Sequence, residues 1–186
     1  MRGYLISIWH MLDPLYYLCT RLRFPPCERL DSNIFRVRLT RYKGKNIVLS
    51  DGTQINKNDT LVKIHLHNVR LLKELIEIKS EWKKAKMIYR YVQHSLPGLD
   101  SYIRNNNRSN EIKGIIGITF LTKGCERLGF EMIEISNPIY RWFKWCAFLP
   151  IEILSGKQFS IKKMFQHHPP AYLFMTKNTL AHLYRK

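Results

Sequence analysis

The chain has 186 residues, of which 45% are hydrophobic and 24% charged, so its composition excludes an intrinsically disordered protein and is sufficient to bury a core. Its outlying property is charge: 31 Lys and Arg stand against 14 Asp and Glu, for a formal net charge of +17. The excess is uniform, with eleven basic and five acidic groups in residues 1–68, ten and five in 69–113, and ten and four in 114–186. Such a chain attracts polyanions, namely nucleic acid, an anionic membrane surface or an anionic polysaccharide.

The N-terminal segment is expected to be helical over residues 3–22, with an interruption at Pro14. It makes a poor signal peptide, because its apolar run contains Trp9 and His10 and no small-residue cleavage site follows. No stretch reaches the roughly 18 uninterrupted apolar residues of a spanning helix. The four cysteines form no Cys-x-x-Cys pair, which is typical of reduced thiols. We therefore expect a cytoplasmic protein, with peripheral attachment to a membrane left open.

Residues 33–68 alternate between apolar and polar side chains with a period of two, which predicts an antiparallel meander with one apolar and one polar face. Asp51-Gly52 predicts a type I′ hairpin turn within it. The apolar face is expected to carry Phe35, Val37, Leu39, Val62, Ile64 and Leu66.

A helical pattern follows over residues 69–96, and Ser80 is positioned to cap a second helix and split the run. Pro97-Gly98 is expected to end this helical region. The apolar stripe along it requires burial against the sheet or against another helix.

The last part of the chain, residues 114–186, predicts mixed helices and strands. We expect, in order, a strand over 114–121, a short helix over 123–128 closed by Gly129, a strand over 130–135, a helix from Pro138 to Phe148, and a final strand and helix joined by the cap Thr176. Together the elements predict an α+β fold in a single domain over residues 1–186: a meander with packed helices, a strand–helix–strand segment and a C-terminal strand–helix.

His65 and His67 are the sharpest local feature, because residues two apart on a strand project from the same face, as in some strand-borne metal sites. No spacing identifies a third ligand, so we favour hydrogen-bonded imidazoles and predict no metal and no cofactor. The same polar face carries Arg36, Arg38 and Lys63. These five residues are the candidate binding site for a phosphate or carboxylate group, although a solvated sheet face is the interpretation we favour.

Catalytic motifs are missing from the sequence: it contains no complete dinucleotide fingerprint, no Walker A motif and no Gly-x-Ser-x-Gly elbow. Cys125 is more typical of a small buried side chain than of a nucleophile at a helix start. In the helix after Pro138, one face carries Trp142, Trp145, Cys146 and Leu149. That stripe suits a membrane interface or a buried helix, and we favour burial. No catalytic residue is predicted.

Four segments resemble the YkoP-like family of uncharacterised bacterial proteins: Asp59–Asn68, Gly117–Leu121, Leu128–Phe130 and the strand that ends at Thr176. The likeness covers essentially the whole chain. It implies a domain that occurs alone in some spore-forming bacteria and elsewhere behind polysaccharide deacetylases. No activity is established for the family, and this chain lacks the Thr-Phe-Asp-Asp-Gly and His-x-x-x-His elements of the deacetylases.

Three functional hypotheses follow. The first is a non-enzymatic binding or accessory module for an anionic partner, linked through the resemblance to envelope polysaccharide modification. The second is a nucleic-acid-binding protein, which the charge alone favours. The third is a small enzyme that uses the His65/His67 face.

Overall fold

A computed structural model describes residues 33–75, 77–78, 80–119, 124–142 and 170–185. The predicted N-terminal helix and the end of the helix after Pro138 lie outside these residues. Seven strands are described: β1 (Phe35–Arg41), β2 (Ile47–Val48), β3 (Gln54–Ile55), β4 (Thr60–Leu66), β5 (Ile112–Thr119), β6 (Glu131–Glu134) and β7 (Ala171–Thr176). Three helices accompany them: α1 (Asn68–Leu75), α2 (Glu81–Arg104) and α3 (Lys177–Tyr184), with single 3₁₀ turns at Ser109–Glu111 and Glu126–Leu128. The α+β class is confirmed.

Five strands form the main sheet in the order β1-β4-β5-β7-β6, and β2 and β3 pair separately. Within residues 33–68 the antiparallel strands are nested rather than successive neighbours. β1 pairs with β4 over its whole length, from Phe35 opposite Leu66 to Arg41 opposite Thr60, and the β2–β3 hairpin lies in the connection. β4 then pairs with β5 in parallel. The long helical connection through α1 and α2 is what a parallel pairing requires, because parallel strands cannot be joined by a tight turn.

The turn at Asp51-Gly52 joins β2 and β3 as predicted, but it is not type I′. That turn needs positive φ at both central residues. Gly52 has φ of +80°, but φ of Asp51 is not positive. In the described part of the chain, Asn58 is the residue other than glycine with positive φ. Asp51 instead accepts a hydrogen bond at Oδ1 from the Thr53 amide (2.9 Å), an Asx turn that replaces the expected geometry.

The Asp51 carboxylate also ties the small hairpin to α3. Its Oδ2 accepts a hydrogen bond from Thr176 Oγ1 at 2.7 Å. Partial burial acts to raise the pKa of Asp51, but hydrogen bonds from Thr176, Thr53 and Thr179 outweigh it and hold the pKa below the ordinary value. The hairpin is thus fixed over the sheet by a group that stays ionised at neutral pH.

The helical region divides as the sequence predicts. Ser80 is the N-cap of α2, and its hydroxyl accepts from the Lys83 amide at 3.4 Å. The prediction that Pro97-Gly98 ends this region is wrong, because α2 continues to Arg104 with Pro97 inside it. The residues beyond the proline include Leu99 and Ile103, which are fully buried. Their burial against the sheet compensates for the hydrogen bond that proline removes.

Caps at the ends of the later elements also agree with the sequence. Gly129 has the expected left-handed φ of +85°, although the segment before it is a single 3₁₀ turn rather than a helix over 123–128. Asn137 Oδ1 accepts from the Tyr140 amide (2.9 Å) and so caps the helical residues 138–142. Thr176 Oγ1 accepts from the Thr179 amide (3.0 Å) at the start of α3.

Other elements cover both faces of the sheet, at least in part. One face packs against α2 and α3 through a cluster that includes Val37, Val62, Leu99, Ile115, Met175 and Leu180. The opposite face packs under the β2–β3 hairpin through Tyr42, Leu49, Ile55, Leu61, Ile116 and Phe174. The expected solvated polar face is wrong for Arg36, which is only 6% exposed, whereas Arg38, Lys63, His65 and His67 are half-buried. On β4, Leu61 of this face belongs to the cluster under the β2–β3 hairpin, which covers part of the face.

Candidate functional site

The five residues predicted from the sequence come together on the β1–β4 pair. Arg36 lies opposite His65 and Arg38 opposite Lys63, so their side chains share the face under the hairpin. Arg36 Nη2 lies 2.9 Å from His67 Nε2, just beyond the end of β4. A guanidinium can only donate, so Nε2 of His67 is the acceptor in this hydrogen bond.

The structure then divides these five residues into two groups. Arg38 and Lys63 line a cleft of about 920 Å³ on the hairpin side of the sheet. Arg36, His65 and His67 lie beyond its lining, toward the other end of the two strands. In the described part of the chain, no three His, Cys, Asp or Glu side chains are placed to hold one metal ion. His65 and His67 do not line this cleft. A ligand-binding role for the five residues stays a prediction.

The cleft has an apolar floor and a charged rim, which separate segments of the chain form. Its floor is the sheet face carrying Ile116, Ile118, Ile133 and Tyr172. One wall is the loop after β1, residues 42–46, and the other is the segment from Glu134 to Tyr140. Arg38 and Lys63 reach the cleft from the neighbouring strands.

The loop after β1 is held in place by backbone hydrogen bonds with Asn58 and Asp59. The Tyr42 amide donates to the Asp59 carbonyl (2.9 Å), and the Asn58 amide donates to the Tyr42 carbonyl (2.7 Å). Gly44 lies against the Tyr42 ring, where a Cβ atom would overlap the ring and its hydroxyl. Glycine at this position therefore lets the loop fold over the tyrosine while its lysines stay exposed.

Three tyrosines form an aromatic corner of the cleft. The Tyr172 ring is stacked with Tyr140 (centroids 6.4 Å apart, 25° between planes) and meets Tyr42 edge-on at 6.4 Å. Burial, with smaller contributions from Tyr140 and Tyr42, raises the pKa of Tyr172, and burial raises the pKa of Tyr42. Both phenols are neutral at physiological pH, and Tyr172 makes a side-chain hydrogen bond with Tyr140.

Charge around the cleft is strongly one-sided. The residues that line it include six cations, Arg38, Arg41, Lys43, Lys45, Lys57 and Lys63, and one carboxylate, Glu134. Four of the cations (Arg41, Lys43, Lys45 and Lys57, here called the basic rim) are exposed. Within the described residues, no carboxylate lies at ion-pair distance from a side chain of the basic rim, and Glu111 interacts with Arg41 only over a longer distance. The rim therefore presents a concentrated positive field over an apolar floor.

Sequence reasoning found Arg38 and Lys63 but missed the basic rim and the tyrosines. The available signal was the turn Lys43-Gly44-Lys45, in which a glycine between two lysines follows a strand. Nothing local marks Tyr140 or Tyr172, because the pairing of β6 with β7 is what brings their segments together.

The structure also describes the surroundings of two other residues that the sequence singles out, Cys125 and Trp142. Burial, and then the neighbouring Glu126, raise the pKa of the Cys125 thiol, which opposes the thiolate that a nucleophile needs. The prediction of a buried stripe is wrong for Trp142, which is 66% exposed. The other members of that stripe, Trp145, Cys146 and Leu149, lie outside the described residues.

The fold and the cleft together define a small, basic α+β domain with a positively charged cleft formed by described residues. The family model described as "YkoP domain" matches residues 2–184, so the chain belongs to the YkoP family. It is 48% identical over 187 residues to "Uncharacterized protein YkoP" of Bacillus subtilis (strain 168), a match that covers 100% of this chain and 99% of that protein.

No solved structure matches the chain. None of the helices among the described residues is both long enough and apolar enough to cross a membrane.

Proposed function

We propose that the chain is a binding module, rather than an enzyme, whose ligand is an anionic polysaccharide held in the cleft beneath the basic rim. The observation that carries the proposal is the composition of the cleft: six cations and one carboxylate surround a floor of isoleucine and tyrosine.

Each part of the cleft matches a property of such a ligand. Lysine and arginine bind carboxylate, sulfate or phosphate groups, and they do so more strongly above a floor that excludes water. The apolar side of a sugar ring packs against an aromatic ring such as Tyr172, while a neutral phenol hydrogen-bonds to its hydroxyl groups. A ligand with both kinds of group uses the whole cleft.

A role in envelope polysaccharide modification is supported by the family resemblance, which implies related domains behind polysaccharide deacetylases. Nucleic acid is the alternative ligand, because phosphates and bases are bound by the same combination of cations and aromatic rings. The proposed experiment distinguishes the two.

The test is the double substitution Lys43→Glu/Lys45→Glu, measured against heparin and against single-stranded DNA over a salt series. The wild-type chain should bind heparin at about 50 mM salt and lose affinity steeply as salt rises. The double variant should bind about tenfold or more weakly, and the slope of log affinity against log salt should fall by about two, because two ionic contacts are lost.

The matched control is Lys83→Glu/Lys86→Glu, an identical change of charge at exposed positions of α2 that do not line the cleft. This control should retain most of the wild-type affinity. Equal losses in both variants would mean that binding follows net charge, and would refute the cleft as the site. Tighter binding of DNA than of heparin at equal salt would favour the nucleic-acid alternative.

A further inference from the structure

Two large hydrophobic side chains are exposed beside the cleft. Ile139 is 78% exposed and Trp142 is 66% exposed. They are three residues apart in the helical stretch 138–142, so they lie on the same side of it. Pro138 and Tyr140 in the same stretch line the cleft, which places this apolar pair at the edge of the cavity.

Such a pair is unusual on a water-facing surface. Among the described residues, the exposed large hydrophobic side chains are Val48, Trp82, Ile139, Trp142 and Leu183, and two of these five fall within one helical turn. Clustered exposure of this kind marks a surface that contacts a membrane or another protein.

The charges nearby favour a membrane as the partner. The basic rim lies around the same cleft, and Glu134 is the one acidic side chain among the residues that line it. A bilayer that contains anionic lipids provides both matching components, because its headgroups are negative and its interfacial region accepts tryptophan and isoleucine.

We propose that the chain docks onto the surface of an anionic bilayer, with Ile139 and Trp142 inserted at the boundary between headgroups and acyl chains. In this orientation the basic rim faces the headgroups and the mouth of the cleft opens toward the membrane surface. Each basic side chain near such a surface strengthens binding roughly fivefold. The proposal is independent of the polysaccharide, because docking requires no ligand in the cleft.

The experiment is co-sedimentation of the full chain with phosphatidylcholine vesicles prepared with and without phosphatidylglycerol. The wild-type chain should bind the anionic vesicles and bind the neutral ones far more weakly. Ile139→Ser/Trp142→Ser should bind the anionic vesicles about tenfold or more weakly, since burial of two side chains of this size contributes at least that factor. Because both side chains are exposed, the thermal stability of this variant should not change.

The matched control is Val48→Ser/Trp82→Ser, which removes an aliphatic side chain and a tryptophan with exposures of 67% and 69% at positions outside the cleft lining. This variant should bind like the wild type. Equal losses in the two variants, or equal binding of wild type to neutral vesicles, would overturn the proposal. So would concentration-dependent self-association that disappears in Ile139→Ser/Trp142→Ser without any binding to vesicles, because the surface would then fit a second copy of the chain.

A second readout uses the tryptophan itself. Addition of anionic vesicles should shift the fluorescence emission of the wild type to the blue, and Trp142→Phe should reduce that shift while Trp82→Phe leaves it unchanged; the opposite assignment would contradict the proposal. Heparin binding by Ile139→Ser/Trp142→Ser should remain at the wild-type level, so that failure of membrane docking is distinguished from failure of polysaccharide binding.

Discussion

Replacement of Phe174 with alanine should lower the free energy of unfolding by about 3–5 kcal/mol, the range for removal of a fully buried phenylalanine. Phe174 is 0% exposed and lies on β7 beneath the β2–β3 hairpin. Its ring meets Tyr42 edge-on at 5.5 Å and lies 5.8 Å from Tyr172. The substitution therefore leaves a cavity directly below the aromatic corner of the cleft.

Equilibrium unfolding in urea measures this loss, with Val48→Ala as the control. Val48 is exposed, so its truncation should change the free energy of unfolding by no more than about 0.5 kcal/mol. A loss below about 1 kcal/mol for Phe174→Ala would show that the cluster under the hairpin is not packed as described. The folded fraction of Phe174→Ala should also bind heparin less tightly, because the tyrosines above the cavity lose their support.

Gly114→Ala should destabilise the chain by about 1–3 kcal/mol, because the added methyl group has no room between central strands. Gly114 pairs with Leu61 of β4 and with Thr176 of β7. A Cβ atom there would lie 2.5 Å from the carbonyl oxygen of Met175 and 3.1 Å from the Cα of Thr176. These are backbone atoms, so the clash is relieved only if the two strands separate.

Gly117→Ala is the comparison on the same strand. Its added methyl group would meet the side chain of Ile64 at 3.2 Å, and a side chain can change rotamer. Urea unfolding of the two variants should therefore show the larger loss for Gly114→Ala. An equal or smaller loss at Gly114 would contradict the register of β5 against β7.

Local patterns predicted most of the elements because local chemistry creates them. The alternation along β1 and β4 sets which side chains face the helices, and the caps at Ser80, Asn137 and Thr176 are hydrogen bonds between residues three apart. The features that the sequence did not predict depend on tertiary contacts. Pro97 lies inside α2 because burial of the following turns outweighs the lost hydrogen bond, and no local signal predicts the parallel pairing of β4 with β5.

The same distinction applies to the cleft. Arg38 and Lys63 were identified because they belong to two strands whose polar positions can be read directly from the sequence. Tyr42, Tyr140 and Tyr172 are distant in sequence, and they meet only because β7 lies between β5 and β6 in the sheet. Contacts of this kind depend on the order of the strands, which side-chain periodicity does not encode.

The cleft as the anion-binding site is tested most directly by amide chemical shifts of the isotope-labelled chain during titration with a heparin-derived oligosaccharide. Saturable shifts should concentrate in residues 41–46, at Lys57, in residues 134–137, at Tyr140 and at Tyr172, which line the cavity. The exposed lysines of α2, Lys83 and Lys86, should move little. Shifts centred on α2 while residues 41–46 and Tyr172 stay unchanged, or shifts spread evenly over all basic residues without saturation, would contradict the account.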